Sequence, residues 1–324
     1  MKAMMYHRYG SPDVLQMREV ETPTPQEDEV LVKIHASAVN PLDWHIMRAQ
    51  PMMSRFASGL FKPKRPILGA DIAGVVEKVG NKVTRFKVGD AVFGDIGAGG
   101  FAEYACAKEH LLVLKPAHVP FEKAAAAPVA SLTALQGLRN KGNIQTRQKV
   151  LVNGASGGVG SSAVQIATAY GAKVTGVCSG RNADMVRSIG AVNTIDYTRQ
   201  NFTRMGIEYD LIYDAVGNHS ITDYQRALKT GGACVVAGFS SMSHMMKVAL
   251  FGNLRAKRQN KPVILQGSAS SQLADLETIQ QFLAEGKLDP VIDRTYHFHE
   301  VADAIRYLET MRARGKVIIN NLSL

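Results

Sequence analysis

Apolar and polar positions alternate in short stretches along the first third of the chain. Val30–His35 alternates cleanly, Ala73–Val79 and Asp90–Phe93 follow, and Gly80-Asn81 and Val88-Gly89-Asp90 place turn residues between them. A period of two bounded by Gly, Asn and Asp predicts half-buried strands joined by tight turns. Short strands at this spacing predict a small irregular barrel over residues 1–120. Near Pro120 the pattern changes. Glu122–Gly137 is rich in Ala and Leu and predicts a helix bent at Pro128. Beyond it, near-continuous apolar runs (Val150–Asn153, Lys173–Cys178, Thr194–Ile195, Leu211–Asp214, Ala233–Ala237) alternate with helical segments (Gly158–Tyr170, Asn182–Ile189, Tyr224–Leu228). That alternation predicts an α/β fold with a doubly wound parallel sheet covered on both faces. From Val263 the texture changes again: a strand over Val263–Gly267, helices over Gln272–Glu285 and Glu300–Thr310, and a final strand over Gly315–Asn320.

Composition narrows the function classes. The chain has 324 residues, 46% hydrophobic and 20% charged, which suits a globular protein of about two domains. No apolar run is long enough to span a membrane, and the opening MKAMMYHRYG has neither the apolar core nor the cleavage site of a secretory signal. Cys106, Cys178 and Cys234 are odd in number and far apart, which predicts reduced thiols and a cytoplasmic location. The net charge of +10 is spread along the chain with no basic helix interleaved with aromatics. The expectation is therefore no nucleic-acid function, an anionic cofactor, and at most a weak peripheral contact with an anionic membrane surface.

The strongest local signal is Lys149–Gly160 (KVLVNGASGGVG), a buried strand running into a glycine-rich turn that opens a helix. Gly154 permits the tight turn, Gly157 and Gly158 let backbone approach a pyrophosphate, and Gly160 lets helix pack on strand. The first-turn N–H groups and the helix dipole then face the phosphates. The spacing is G-x-x-G-x-x-G, and its strand-before, helix-after context makes it a dinucleotide cradle. The next strand ends VTGVCSGRN with no acid at its tip. NAD sites place a carboxylate there for the ribose 2′-OH, whereas Ser179 and Arg181 offer donors and positive charge to a 2′-phosphate. The cofactor expected is NADPH.

With this cradle in mid-chain after a β-rich segment, the sequence resembles the medium-chain dehydrogenase/reductase superfamily over essentially its whole length. Ala38–Asp43 (AVNPLD), Leu68–Val76 (LGADIAGVV), Val88–Gly94 (VGDAVFG) and Gly315–Ile319 (GKVII) carry the likeness. It is most similar to the zinc-free quinone oxidoreductase branch, and within it to the reticulon-interacting mitochondrial and chloroplast-envelope quinone oxidoreductase homologues. The resemblance implies a GroES-like catalytic domain from residues 1–120 and 263–324, a Rossmann domain at 121–262, nicotinamide in the cleft between them, and a homodimer. It implies cofactor contacts from Ser156, Gly158, Val159, Ser179, Arg181 and Tyr197, with Val216, Gly217, Gly238, Phe239 and Thr133 lining the site. It also places Asn40 and Lys316 near the reaction centre.

Zinc members of the superfamily carry soft and imidazole ligands where this chain has Asn40 and Ala70-Asp71, and His35, His45 and His110 stand at no ligand spacing. The expectation is no metal. Without a Lewis acid, the matching substrate is a lipophilic quinone or α,β-unsaturated carbonyl, which spreads developing charge by conjugation. Met- and Phe-bearing segments at Pro51–Arg65 and Ser240–Pro262, each followed by basic residues, are candidate pocket walls. Asp43, His45 and solvent remain open as proton donor. Two other functions stay open as well: a 2-enoyl-thioester reductase of the same fold, and a non-catalytic NADPH-binding sensor.

Overall fold

The structure, a computed structural model, describes residues 1–50, 55–252 and 260–321, and of Ala57 the backbone alone. Within it, β1 (Lys2–Met5) and β2 (Gln16–Glu19) form an antiparallel ribbon. β3 (Glu29–Val39) is the long central strand of the first unit. α1 (Pro41–Arg48) follows, then α2 (Arg55–Ser58), β4 (Asp71–Val79), β5 (Ala91–Asp95), β6 (Tyr104–Lys108) and β7 (Leu112–Leu114). The helix expected over Glu122–Gly137 is two helices, α3 (Phe121–Ala126) and α4 (Pro128–Gln136). Proline at the start of a helix loses no bond, because the first N–H groups have no partner inside the helix. α4 ends in a wide π turn at Gly137–Lys141.

The second unit alternates β8 (Lys149–Asn153), α5 (Gly158–Ala169), β9 (Lys173–Cys178), α6 (Ala183–Ser188), β10 (Asn193–Asp196), β11 (Tyr209–Asp214), α7 (Ile221–Ala227), β12 (Leu228–Val236), α8 (Met242–Phe251) and β13 (Val263–Leu265). Its sheet has the order β10-β9-β8-β11-β12-β13 with every neighbour parallel. The order reverses between β8 and β11, the switch point where such sheets bind ligands beyond their carboxyl ends. Leu151, Val177, Ile195, Ile212 and Val236 pack in the core of this unit.

The chain then returns to the first unit through α9 (Leu273–Ala284), β14 (Ile292–His297), α10 (Val301–Glu309) and β15 (Lys316–Asn320). β15 lies antiparallel on β3, pairing Val317 with Val39 and Asn320 with Ala36. One edge of β3 is thus shared, Glu29–Lys33 by β6 and Ala36–Val39 by β15, while β4 takes the other edge. The order is β14-β15-β3-β4-β5-β7, with β6 on β3.

The first unit comprises Met1–Val129, Ser271–Glu285 and the described residues from Pro290 onward, and the second comprises Ala130–Ser270 with Gly286–Asp289. The boundaries expected at 120 and 262 therefore move. Val263 pairs with Cys234 and makes β13 the sixth strand of the parallel sheet, while Phe121–Val129 stays with the first unit. A three-residue apolar strand fits either sheet by pattern, and its partner is distant in sequence. No helix among the described residues is long and apolar enough to cross a membrane.

Asp43 illustrates how α1 is anchored. It is the third helical residue, its carboxylate accepts the N–H of the cap residue Asn40 at 2.7 Å, and the other oxygen accepts the N–H of Gly69 at 3.0 Å. Burial raises its pKa to about 7 although those bonds favour the ionised form. Between about pH 4 and 7 the unfolded chain has released this proton while the folded chain holds it. The contribution of Asp43 to stability therefore falls as pH rises through that window and is flat above it.

Two experiments test these local accounts. A Cβ on Gly160 would stand 2.0 Å from the Gly154 carbonyl oxygen, whereas one on Gly157 would meet nothing closer than 3.6 Å. Gly160→Ala should lower the unfolding free energy by roughly 1–3 kcal/mol and Gly157→Ala by no more than about 1 kcal/mol, read by urea denaturation; equal effects would contradict the packing argument. In the same assay, the stability that Asp43→Asn loses relative to the unsubstituted chain should be larger at pH 5 than at pH 8 by about 2 kcal/mol. A pH-independent difference would mean that Asp43 is ionised throughout.

Candidate active site

β8 delivers the glycine turn to the switch point of the parallel sheet. Gly154 turns with φ +79°, and the N–H groups of Gly154 and Ala155 donate to Val177 O at 3.1 and 3.0 Å, tying the turn to β9. Gly157 caps α5, and Ser156 to Val159 are half-exposed over the first turn of that helix. Unpaired N–H groups and the positive end of the helix dipole collect there. Asn182, which sequence reading passed over, is buried beside this turn. Its Nδ2 donates to Ser156 Oγ at 3.0 Å, and its Oδ1 is buried without a hydrogen bond.

The carboxyl ends of the neighbouring strands complete the rim. Ser179, Gly180 and Arg181 follow β9 in a tight turn, and Arg181 is exposed with no ion pair among the described residues. Tyr197, after β10, is 63% exposed. Beyond β11, Asp214 is fully buried and organises the next loop: it accepts the N–H groups of Val216 and Gly217 at 2.7 and 2.8 Å, the Asn153 amide and the Tyr224 hydroxyl. Burial and this carboxylate push the Tyr224 phenol far above its ordinary range. Asp214 therefore positions the loop after β11 from below, while Val216 and Phe239 stand exposed on the rim. Gly217 and Gly238 are required where the two loops meet, since a Cβ on Gly238 would stand 2.2 Å from Ala215 O. Thr133 sits on α4, and its carbonyl accepts the Tyr213 hydroxyl at 3.2 Å and the Gln266 amide at 2.6 Å.

The first unit holds the polar residues read from its resemblance. Asn40, Asp71 and Lys316 form one buried network. Lys316 Nζ donates to Asn40 Oδ1 at 2.5 Å and to Asp71 Oδ2 at 2.9 Å, and Asn40 Nδ2 donates to the same Asp71 oxygen at 2.9 Å. The Val129 N–H, at the start of α4, donates to Asp71 Oδ1 at 2.8 Å. The Asn40 carboxamide also donates to Ala38 O. Asp43 is held by the two backbone N–H groups already described. His45 stacks on Trp44 at 3.6 Å and pairs through Nδ1 with Gln50 O, and burial holds its pKa below the usual imidazole value. Among the described residues no group of three His, Cys, Asp or Glu side chains is placed to hold a metal ion.

The two candidate pocket segments are seen in part. Residues 51–54, with Met52 and Met53, and 253–259, with Arg255, Lys257 and Arg258, lie outside the described residues. Phe56, Leu60 and Phe61 are exposed, and α8 exposes Met242, Met246, Leu250 and Phe251.

Comparison with known proteins places these features in a lineage. Residues 26–117 match the alcohol dehydrogenase GroES-like domain, and residues 189–319 match the family described as zinc-binding dehydrogenase. The chain is 36% identical to a 2-methylene-furan-3-one reductase of Solanum lycopersicum, over 99% of this chain and 79% of the relative. It is 34% identical to a chloroplastic NADPH-dependent alkenal/one oxidoreductase of Arabidopsis thaliana, over 98% and 79%. The quinone oxidoreductase of Coxiella burnetii superposes with a TM-score of 0.86 at 28% identity, over 99% of both chains. The chain belongs to the quinone oxidoreductase branch of the medium-chain dehydrogenase/reductase superfamily.

Proposed function

We propose that this protein is an NADPH-dependent oxidoreductase that reduces a quinone or an α,β-unsaturated carbonyl without a zinc ion. The observation that carries the cofactor is the rim of the parallel sheet: a glycine turn at a helix N-terminus, beside a strand tip bearing Ser179 and unpaired Arg181 in place of a carboxylate. The residues fit the dinucleotide. The Gly157 side of the turn is open, Asn182 Oδ1 lacks a partner, and the guanidinium of Arg181 is available. Gly154, Ser156, Gly157, Gly158, Val159 and Gly160 would hold the diphosphate. Ser179, Arg181 and Tyr197 would hold the 2′-phosphorylated ribose, and Thr133, Val216, Gly217, Gly238 and Phe239 would line the rest. When bound, NADPH supplies a hydride.

The acceptor class follows from the first unit and from the relatives, whose names specify a furanone, alkenals and enones, and quinones. The ammonium of Lys316 already lies on Asp71, and the Asn40 carboxamide is engaged on both its nitrogen and its oxygen. A dication at this place would be repelled by one and poorly ligated by the other, which supports zinc-independent chemistry. A conjugated acceptor disperses charge and needs less Lewis-acid help. Asn40 and Asp43 are assigned as positioning residues, because their polar atoms are occupied within the fold. Lys316, with two of its three N–H bonds used, is assigned as the group that meets developing negative charge. By resemblance the protein is a homodimer. Its three free cysteines favour a reducing, cytosol-like compartment, and its basic balance favours weak attachment to anionic membrane surfaces.

Arg181→Ala should weaken NADPH binding about ten- to hundredfold, the scale of one charge-assisted contact, and leave NADH nearly unchanged, measured by fluorescence titration. Equal losses would remove Arg181 from the 2′-phosphate site. In steady-state kinetics with NADPH, benzoquinones and alkyl enones should be reduced, with kcat/KM rising with acceptor hydrophobicity and unchanged by a chelator. Saturated ketones as the best substrates, enoyl-CoA as the best substrate, or chelator-sensitive turnover would each overturn the assignment.

A further inference from the structure

The tip of β9 meets a negative charge that reaches it from the adjacent strand. β10 runs parallel to β9 with Asp196 level with Cys178, the residue before Ser179. One oxygen of Asp196 accepts the N–H and hydroxyl of Thr198 at 3.0 and 2.7 Å. Gly180, inside the Ser179–Arg181 turn, packs against the same carboxylate. The approach is so close that a Cβ on Gly180 would stand 2.6 Å from Asp196 Oδ2. The Thr198 bonds hold the carboxyl below its ordinary range, so it is charged at neutral pH. Arg199 Nε lies 3.8 Å from Oδ2 on a side chain 84% exposed. Water and salt screen that pairing and leave the carboxylate's charge largely uncompensated.

We propose that Asp196 is a cofactor-selecting residue whose carboxylate, brought from β10 to the Ser179–Arg181 turn, opposes the 2′-phosphate that Arg181 attracts. This rests on the reading of that turn as the 2′-phosphate site. Dinucleotide sites that take NAD carry their acid on the second strand itself. Here the acid comes from the neighbouring strand and packs directly against Gly180 in the turn itself. The preference for NADPH over NADH is then the difference between one attraction and one repulsion. NADH carries no 2′-phosphate and is indifferent to the repulsion. The arrangement makes NADH a usable second cofactor and leaves room to strengthen the preference for NADPH by a single substitution.

The test is calorimetric titration of the full chain with adenosine 2′,5′-bisphosphate and 5′-AMP, and with NADPH and NADH. Asp196→Asn removes the charge and keeps an oxygen for the N–H and hydroxyl of Thr198. It should tighten the bisphosphate and NADPH about tenfold, as expected for one partly screened charge, and move AMP and NADH less than about twofold. Asp196→Ser, which also retains an acceptor, should do the same, and it carries the test if the Asn variant unfolds. Equal shifts in both pairs of ligands, or none, would overturn the proposal and leave Asp196 as a residue that merely shapes the turn. Arg181→Ala, titrated in parallel, separates the two layers. If it selectively weakens the bisphosphate while the Asp196 variants do not alter selectivity, Asp196 loses its role and the 2′-phosphate site stands. If Arg181→Ala weakens both ligand pairs alike, the site assignment falls and the role of Asp196 falls with it.

Discussion

The ammonium of Lys316 and the carboxylate of Asp71 meet at 2.9 Å with side chains 6% and 0% exposed. Two such charges gain from each other only if the cost of leaving water is offset by good geometry and further hydrogen bonds. Asn40 provides that completion, accepting from the lysine and donating to the aspartate, and the Val129 N–H takes the remaining carboxylate oxygen. The pair joins the start of β4 to the start of β15, residues 245 apart in sequence. Closing a chain segment of that length costs on the order of 5 kcal/mol by the logarithmic scaling of loop entropy. The β15–β3 ladder and the core formed by Val39, Val301, Ile305, Val317 and Ile319 offset it. The first unit therefore depends on an ion pair set among strands.

The second unit meets a different constraint, close backbone approach at the carboxyl ends of parallel strands. Gly160 packs on Gly154, and Gly217 and Gly238 let the loops after β11 and β12 touch. Beneath these loops Asp214 gathers two backbone N–H groups, an amide and a phenol. A buried carboxylate so fully hydrogen-bonded fixes the loop it serves. The exposed side chains of Val216 and Phe239 stand on these hydrogen-bonded loops. The hydrophobic sheet behind these loops holds the rim in place.

The dinucleotide cradle was legible because its signal is local: strand, turn and helix follow within a dozen positions, and each glycine answers a steric demand of its immediate neighbours. The parallel sheet was legible for a related reason, since strands buried on both faces must be apolar throughout. The ribbon β1–β2, β6, β7 and β14 were not legible, because short strands with mixed patterns are stabilised by partners far along the chain. The unit boundary moved for the same cause when Val263–Leu265 joined β12. The sequence by itself determined the fold class, the cradle and the residues Asn40, Asp43 and Lys316 as candidates. Only tertiary structure decided what those candidates touch, because hydrogen-bond partners are assigned in space. It gave Asp43 to a helix cap, bound Asn40 to Asp71 and Lys316, set Asn182 beside Ser156, and carried the carboxylate of Asp196 to a strand tip that appears acid-free in the linear chain.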